Sequence, residues 1–193
     1  MKKKVLLLAA MTICTAILAS GTLAYFTDET RAHNTITTNK VDIEIEEWQQ
    51  TANGLVPYPN EKIAIMPTEE VSKIVQVKNN DATSFIRAKL DIVVMNSQNV
   101  QMDIPSEELK EVIILNMNTN DWTEQDGWWY YNEPVKNGGV TEALMTAVEF
   151  DGPNMTNEYQ NCTVEIDVNA QAVQVANNGS SALYAAGWPK EEN

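Results

Sequence analysis

Residues 81–96 read DATSFIRAKLDIVVMN. Ile86, Ala88, Leu90, Ile92 and Val94 occupy the even positions, while Arg87, Lys89 and Asp91 occupy odd ones. A helix turning every 3.6 residues would scatter those apolar side chains around its circumference, whereas a strand sends successive side chains to opposite faces. The stretch therefore requires a strand with one buried face. A lone strand can neither pair its backbone groups nor cover that face, so the rest of the chain must supply partners with the same period.

Those partners are present. Val41, Ile43 and Ile45 alternate with Asp42, Glu44 and Glu46. Residues 61–66 read as a short strand ended by Pro67, after a loop containing Asn53-Gly54, Pro57 and Pro59. In residues 71–79, Val71, Val75 and Val77 share a face and Ile74 takes the other, before Asn79-Asn80-Asp81 turns the chain. Pro105 and Ser106 followed by Glu107 and Glu108 predict a helix start with Ser106 as cap. Val112-Ile113-Ile114-Leu115 either ends that helix or begins a strand, and its β-branched run favours the strand. Asp121-Trp122-Thr123, Gln125-Asp126-Gly127 and Trp128-Trp129-Tyr130-Tyr131 read as a hairpin with its tight turn at Asp126-Gly127. Residues 140–150 resume an apolar pattern after Asn137-Gly138-Gly139. In residues 162–176 Val164, Ile166, Val168, Ala170 and Ala172 share a face before Val173 and Val175 change phase, which predicts a bulge or a crossing between sheets. About seven to nine strands with little helix predict a mostly β, single-domain, jelly-roll-like β-sandwich over residues 41–193.

Before the strands lies a different kind of segment. Lys2, Lys3 and Lys4 precede an apolar run over residues 5–19, and Thr22-Leu23-Ala24 places small residues where a signal peptidase reads. Residues 1–24 are thus read as a signal peptide cut between Ala24 and Tyr25. An uncleaved anchor is the competing reading, because residues 5–24 come near the ~20 needed to span a bilayer. Ser20-Gly21-Thr22 interrupts the apolar run and favours cleavage. Cys14 would leave with the signal, so Cys162 would have no partner for an internal disulfide and the exported domain would rely on burial.

Charge and residue inventory narrow the functional classes. The full chain has 13 Lys+Arg against 27 Asp+Glu, a formal charge of −14, and loss of residues 1–24 removes three lysines and no acid. Nucleic acid and anionic lipid are poor partners for such a surface. His33 is the only histidine, no His-Glu-x-x-His or Gly-x-Ser-x-Gly occurs, and Cys162 sits within a strand pattern. No catalytic, metal or cofactor set can be assembled from these residues, and the expectation is a protein that is not an enzyme and carries no cofactor. Asp121, Glu124 and Asp126 offer oxygens in a loop but lack the spacing of a known calcium motif. Alternation divides the aromatic cluster, Trp128 and Tyr130 to one face and Trp129 and Tyr131 to the other. If the second pair is exposed, Trp129 and Tyr131 could stack on sugars or on a partner protein, although core and hairpin packing is the commoner role.

Residues 23–47, LAYFTDETRAHNTITTNKVDIEIEE, join the cleavage site to the first strand. The Leu-Ala-Tyr-Phe-Thr-Asp run at residues 23–28, Asn34-Thr35 and the Val-x-Ile-x-Ile-x-Glu strand at residues 41–47 resemble the start of the TasA/camelysin family, whose precursors are cut by a SipW-type signal peptidase. Weaker likenesses follow at Met66-Pro67, Val77-Lys78-Asn79, Ser84 to Arg87, the Trp-Tyr-Tyr hairpin and residues 170–175, while Asn39 stands where relatives usually have Gly. The resemblance implies a jelly-roll sandwich in a secreted surface or biofilm-matrix protein that polymerises into fibres, alone or with other matrix proteins. It also implies donor-strand complementation, with residues 25–40 of one copy adding as a strand to the next. Tyr25, Phe26 and Ile36 are the side chains able to plug a neighbour's groove, in a segment free of Pro and Gly. A monomeric surface-binding module and a camelysin-like protease are the rival readings, the latter short of ligands with His33 alone.

Overall fold

The computed structural model describes residues 41–59, 70–156, 159 and 161–189. In chain order these form β1 (Ile43–Thr51), β2 (Gly54–Pro57), β3 (Glu70–Asn79), β4 (Ser84–Met95), α1 (Ser106–Val112), β5 (Ile113–Met117), β6 (Trp122–Gln125), β7 (Trp128–Tyr131), β8 (Met145–Phe150) and β9 (Thr163–Gln174), followed by one 3-10 turn at Ala182–Tyr184.

The strands build two antiparallel sheets, one in the order β2-β1-β3-β8-β5 and the other in the order β6-β7-β4-β9. The chain passes between the sheets repeatedly rather than finishing one before starting the other, which gives the sandwich its jelly-roll-like character. The even-numbered residues of the 81–96 stretch face inward as their alternation requires. Ile86, Ala88 and Val94 pack with Ile43, Val75, Val77, Met145, Val148 and Phe150 from the facing sheet. The β3–β4 corner is held by Asn79, which is fully buried; its Nδ2 donates to the carbonyls of Ala82 and Val135, and its Oδ1 accepts from the amide of Asp81. Asp126 and Gly127, at φ 55° and 80°, make the tight turn of the β6–β7 hairpin, a conformation glycine adopts without strain.

Two local expectations are corrected. Ser106 is the first residue of α1 rather than its cap, and no side chain caps that helix. The change of phase at Val173 is not a bulge: β9 stays in register with β4 from Thr163 opposite Met95 to Gln174 opposite Ser84. Val173 simply points to the outer face, where residues of the C-terminal segment bury it. The 112–115 run resolves both ways at once, since Val112 ends α1 and Ile113 begins β5 with no loop between them. The expected strand at residues 61–66, the cleavage site at Ala24 and Tyr25, and the proposed plugs Tyr25, Phe26 and Ile36 lie outside the described residues.

Candidate functional site: an open slot between the sheets

β4 is twelve residues long and β7 only four, so β7 cannot run along the whole of β4. β9 covers one side of β4 completely, whereas β7 pairs with the other side only at Arg87 and Ala88. Beyond the next five residues, the chain returns so that the amide of Met102 donates to the carbonyl of Val94 at 2.8 Å. Between those two anchors, from Lys89 to Val93, no described strand lies along the side of β4 away from β9.

Which backbone groups face that gap follows from the anchors. Ser84 exchanges hydrogen bonds with Val135, and the carbonyl of Val94 accepts from Met102, both on the side away from β9. In a strand, N–H and C=O of one residue point the same way and alternate along the chain, so Leu90 and Ile92 direct theirs into the gap. Across it runs β5, an end strand of the other sheet that pairs with β8 alone among the described residues.

Together these elements enclose a cavity of about 630 Å³ lined by Lys89, Leu90, Ile92, Lys110, Leu115, Met117 and Trp129, with other residues of α1 and the hairpin tip. Leu90, Ile92, Leu115, Met117 and Trp129 are half-buried, their inner sides packed on the core and the rest facing the cavity. Covering such side chains contributes on the order of 1 kcal/mol each. Lys89 and Lys110 balance Asp91 and Glu124 around the walls and rim, so the strongly negative charge of the chain is locally neutralised there. A slot with backbone donors and acceptors on one wall and an apolar floor is suited to an extended peptide segment rather than to a compact polar ligand.

The aromatic cluster is arranged differently from a surface platform. Trp129 is half-buried and forms part of the slot lining. Tyr131 is half-buried, its ring 5.1 Å from that of Trp122 and its hydroxyl accepting from the amide of Glu142. Trp128 and Tyr130 point to the outer face yet are buried, beneath Ala182, Ala185 and Trp188. Between them lies Arg87, only 7% exposed, whose guanidinium sits 4.0 Å from the ring centre of Trp128 and 4.7 Å from that of Trp188. It donates to Gln171 Oε1 from Nε and Nη2, to the Tyr130 hydroxyl, and to the carbonyl of Pro189.

The remaining candidate groups do not converge. Among the described residues, no three His, Cys, Asp or Glu side chains are placed to hold a metal ion. Glu124 accepts from the amide of Gly127, and Asp121 accepts from Asn118 Nδ2, so both serve the hairpin. Burial pushes the Cys162 thiol above its ordinary pKa, the opposite of what a nucleophilic thiolate needs. His33 lies outside the described residues.

Of the slot residues, the sequence marks Trp129 as a binding candidate and Glu124 only as a loop oxygen. A usable signal for the rest was the length mismatch itself: Gly127 and Asn132 bound β7 to four residues, too few to pair the whole of the long 85–95 pattern. No protein-family model matches the chain, and no curated protein matches it either.

Proposed function

We propose that this chain is a secreted structural subunit of surface or matrix fibres, in which residues 25–38 of one copy enter the slot of the next. The observation that carries the reading is the gap along β4 at Leu90 and Ile92, bordered by the β5 edge and floored by half-buried apolar side chains. An incoming extended segment would satisfy the backbone of Leu90 and Ile92 and cover Leu115 and Met117. The stretch of β4 that the described residues leave uncovered is five residues, about 17 Å at strand rise, so it accommodates part of the 25–38 segment at a time. Tyr25, Phe26 and Ile36 are the side chains that would fill the cavity. Export and trimming by a SipW-type peptidase between Ala24 and Tyr25 would free the segment for donation, and the resemblance at residues 23–47 supports that order of events.

The test is deletion of residues 25–38 followed by electron microscopy and by addition of a synthetic 25–38 peptide. Folded monomers that form no filaments, yet take up the peptide, are the expected result. Filaments from the deletion variant indistinguishable from the parent would overturn the proposal.

A further inference from the structure

We propose that residues 181–189 act as a strap that sets the width of the slot, by pinning the free end of the β6–β7 hairpin to β4 through Trp128, Arg87 and Trp188; the use made of the slot rests on the reading above, the mechanics do not. The hairpin has two unequal ends. Its base is fixed in the core by Trp122, which is 1% exposed and donates from Nε1 to the carbonyl of Glu142, and by Tyr131 packed against it. The tip, Glu124 to Trp129, forms a wall of the slot, and β7 is joined to β4 by only two register pairs, Arg87 with Tyr130 and Ala88 with Trp129.

What holds the tip is therefore the outer-face cluster. Trp128 is sealed there with Phe85, Tyr130, Val173, Ala182 and Ala185, and the C-terminal segment supplies the last two of these together with Leu183 and Trp188 packed against them. Arg87 ties the layers together. It belongs to β4, stacks on Trp128 of β7 below and Trp188 of the strap above, and reaches the strap again at Pro189. The strap keeps its own shape through the Trp188 Nε1 bond to the carbonyl of Ala182. A guanidinium between two indole faces is favourable only while both remain in place and water is excluded. Releasing Trp188 would therefore hydrate Arg87, uncover Trp128 and let the tip swing on its fixed base, removing one wall of the slot.

Amide hydrogen exchange on the full chain separates this device from ordinary stabilisation, and needs no filament or peptide. Ala88 and Trp129 face each other across the seam between β4 and β7. In Trp188→Ala their amides should exchange about tenfold faster while those at the hairpin base and in β3 and β8 stay unchanged, the pattern of a local opening. Trp188→Phe, which keeps a ring on Arg87, should restore most of the protection. A chain ending at residue 180 should show the same local acceleration with the rest of the sandwich intact. Uniform acceleration throughout the protein, unchanged exchange at Ala88 and Trp129, or global unfolding of the shortened chain would each overturn the strap.

Discussion

The amide of Met102 donates to the carbonyl of Val94 at 2.8 Å, on the side of β4 opposite β9. This one bond closes the upper end of the slot and fixes the phase of the uncovered edge beneath it. Leu90 and Ile92, four and two residues earlier, present their backbone to the same side, and their side chains face the sandwich interior with Leu115 and Met117.

A charge placed on the slot floor should separate assembly from folding. Leu115 is half-buried at an edge strand, so Leu115→Lys should cost no more than about 1 kcal/mol of stability while abolishing filament formation and peptide uptake. Thermal melts and electron microscopy of the same preparation decide it, and filaments of normal length from this variant would argue against the slot.

The ion pair on the inner face of the five-stranded sheet should behave asymmetrically. Lys73 Nζ lies 2.8 Å from Glu47 Oε1 and 4.0 Å from the ring centre of Tyr58, with the lysine side chain 9% exposed and the glutamate 23%. Glu47→Gln strands a nearly buried charge and should cost about 2 kcal/mol, somewhat below the figure for wholly buried pairs. The double change Lys73→Met with Glu47→Leu removes both charges and should recover most of that loss. Urea unfolding of the three proteins checks the sign and the non-additivity.

Alkaline pH should weaken the fold through Tyr58 and Cys162. Burial, with a smaller contribution from the Glu47 carboxylate, raises the Tyr58 pKa above its ordinary value of 10.0, and burial raises that of Cys162 above 9.0. At and above those ordinary values the native state retains protons that the unfolded chain has released, so stability is intact below about pH 9 and falls as pH rises. Tyr58→Phe should flatten the part of the decline around and above pH 10 and Cys162→Ser the part beginning near pH 9, as read from chemical denaturation across that range.

The β3–β4 corner should be sensitive out of proportion to its size. Asn79→Ala leaves the carbonyls of Ala82 and Val135 and the amide of Asp81 without the bonds they now make, in a fully buried site. A loss of about 2–3 kcal/mol is expected in denaturant unfolding.

Much of this sandwich was legible in the sequence because period-two alternation is local. The β4 pattern and the Asp126-Gly127 turn needed no knowledge of distant residues. The slot was harder to read because a missing neighbour defines it, and only the lengths of β4 and β7 taken together reveal it. The outer aromatic face was obscured for a related reason. Residues 181–189, ALYAAGWP after Ser181, carry neither strand nor helix periodicity, so nothing local announced that they fold over Trp128, Tyr130 and Val173. That is why burial of Val173 on the outer face resembled a bulge, and why alternation alone made one aromatic pair look exposed.

The most direct measurement is a side-chain-resolution electron cryomicroscopy reconstruction of the filaments. An extended segment from a neighbouring copy should run beside Leu90 and Ile92, hydrogen-bonded to both, with its apolar side chains against Leu115 and Met117. Filaments in which that slot holds nothing from another copy, or in which residues 25–38 lie on their own subunit, would contradict it.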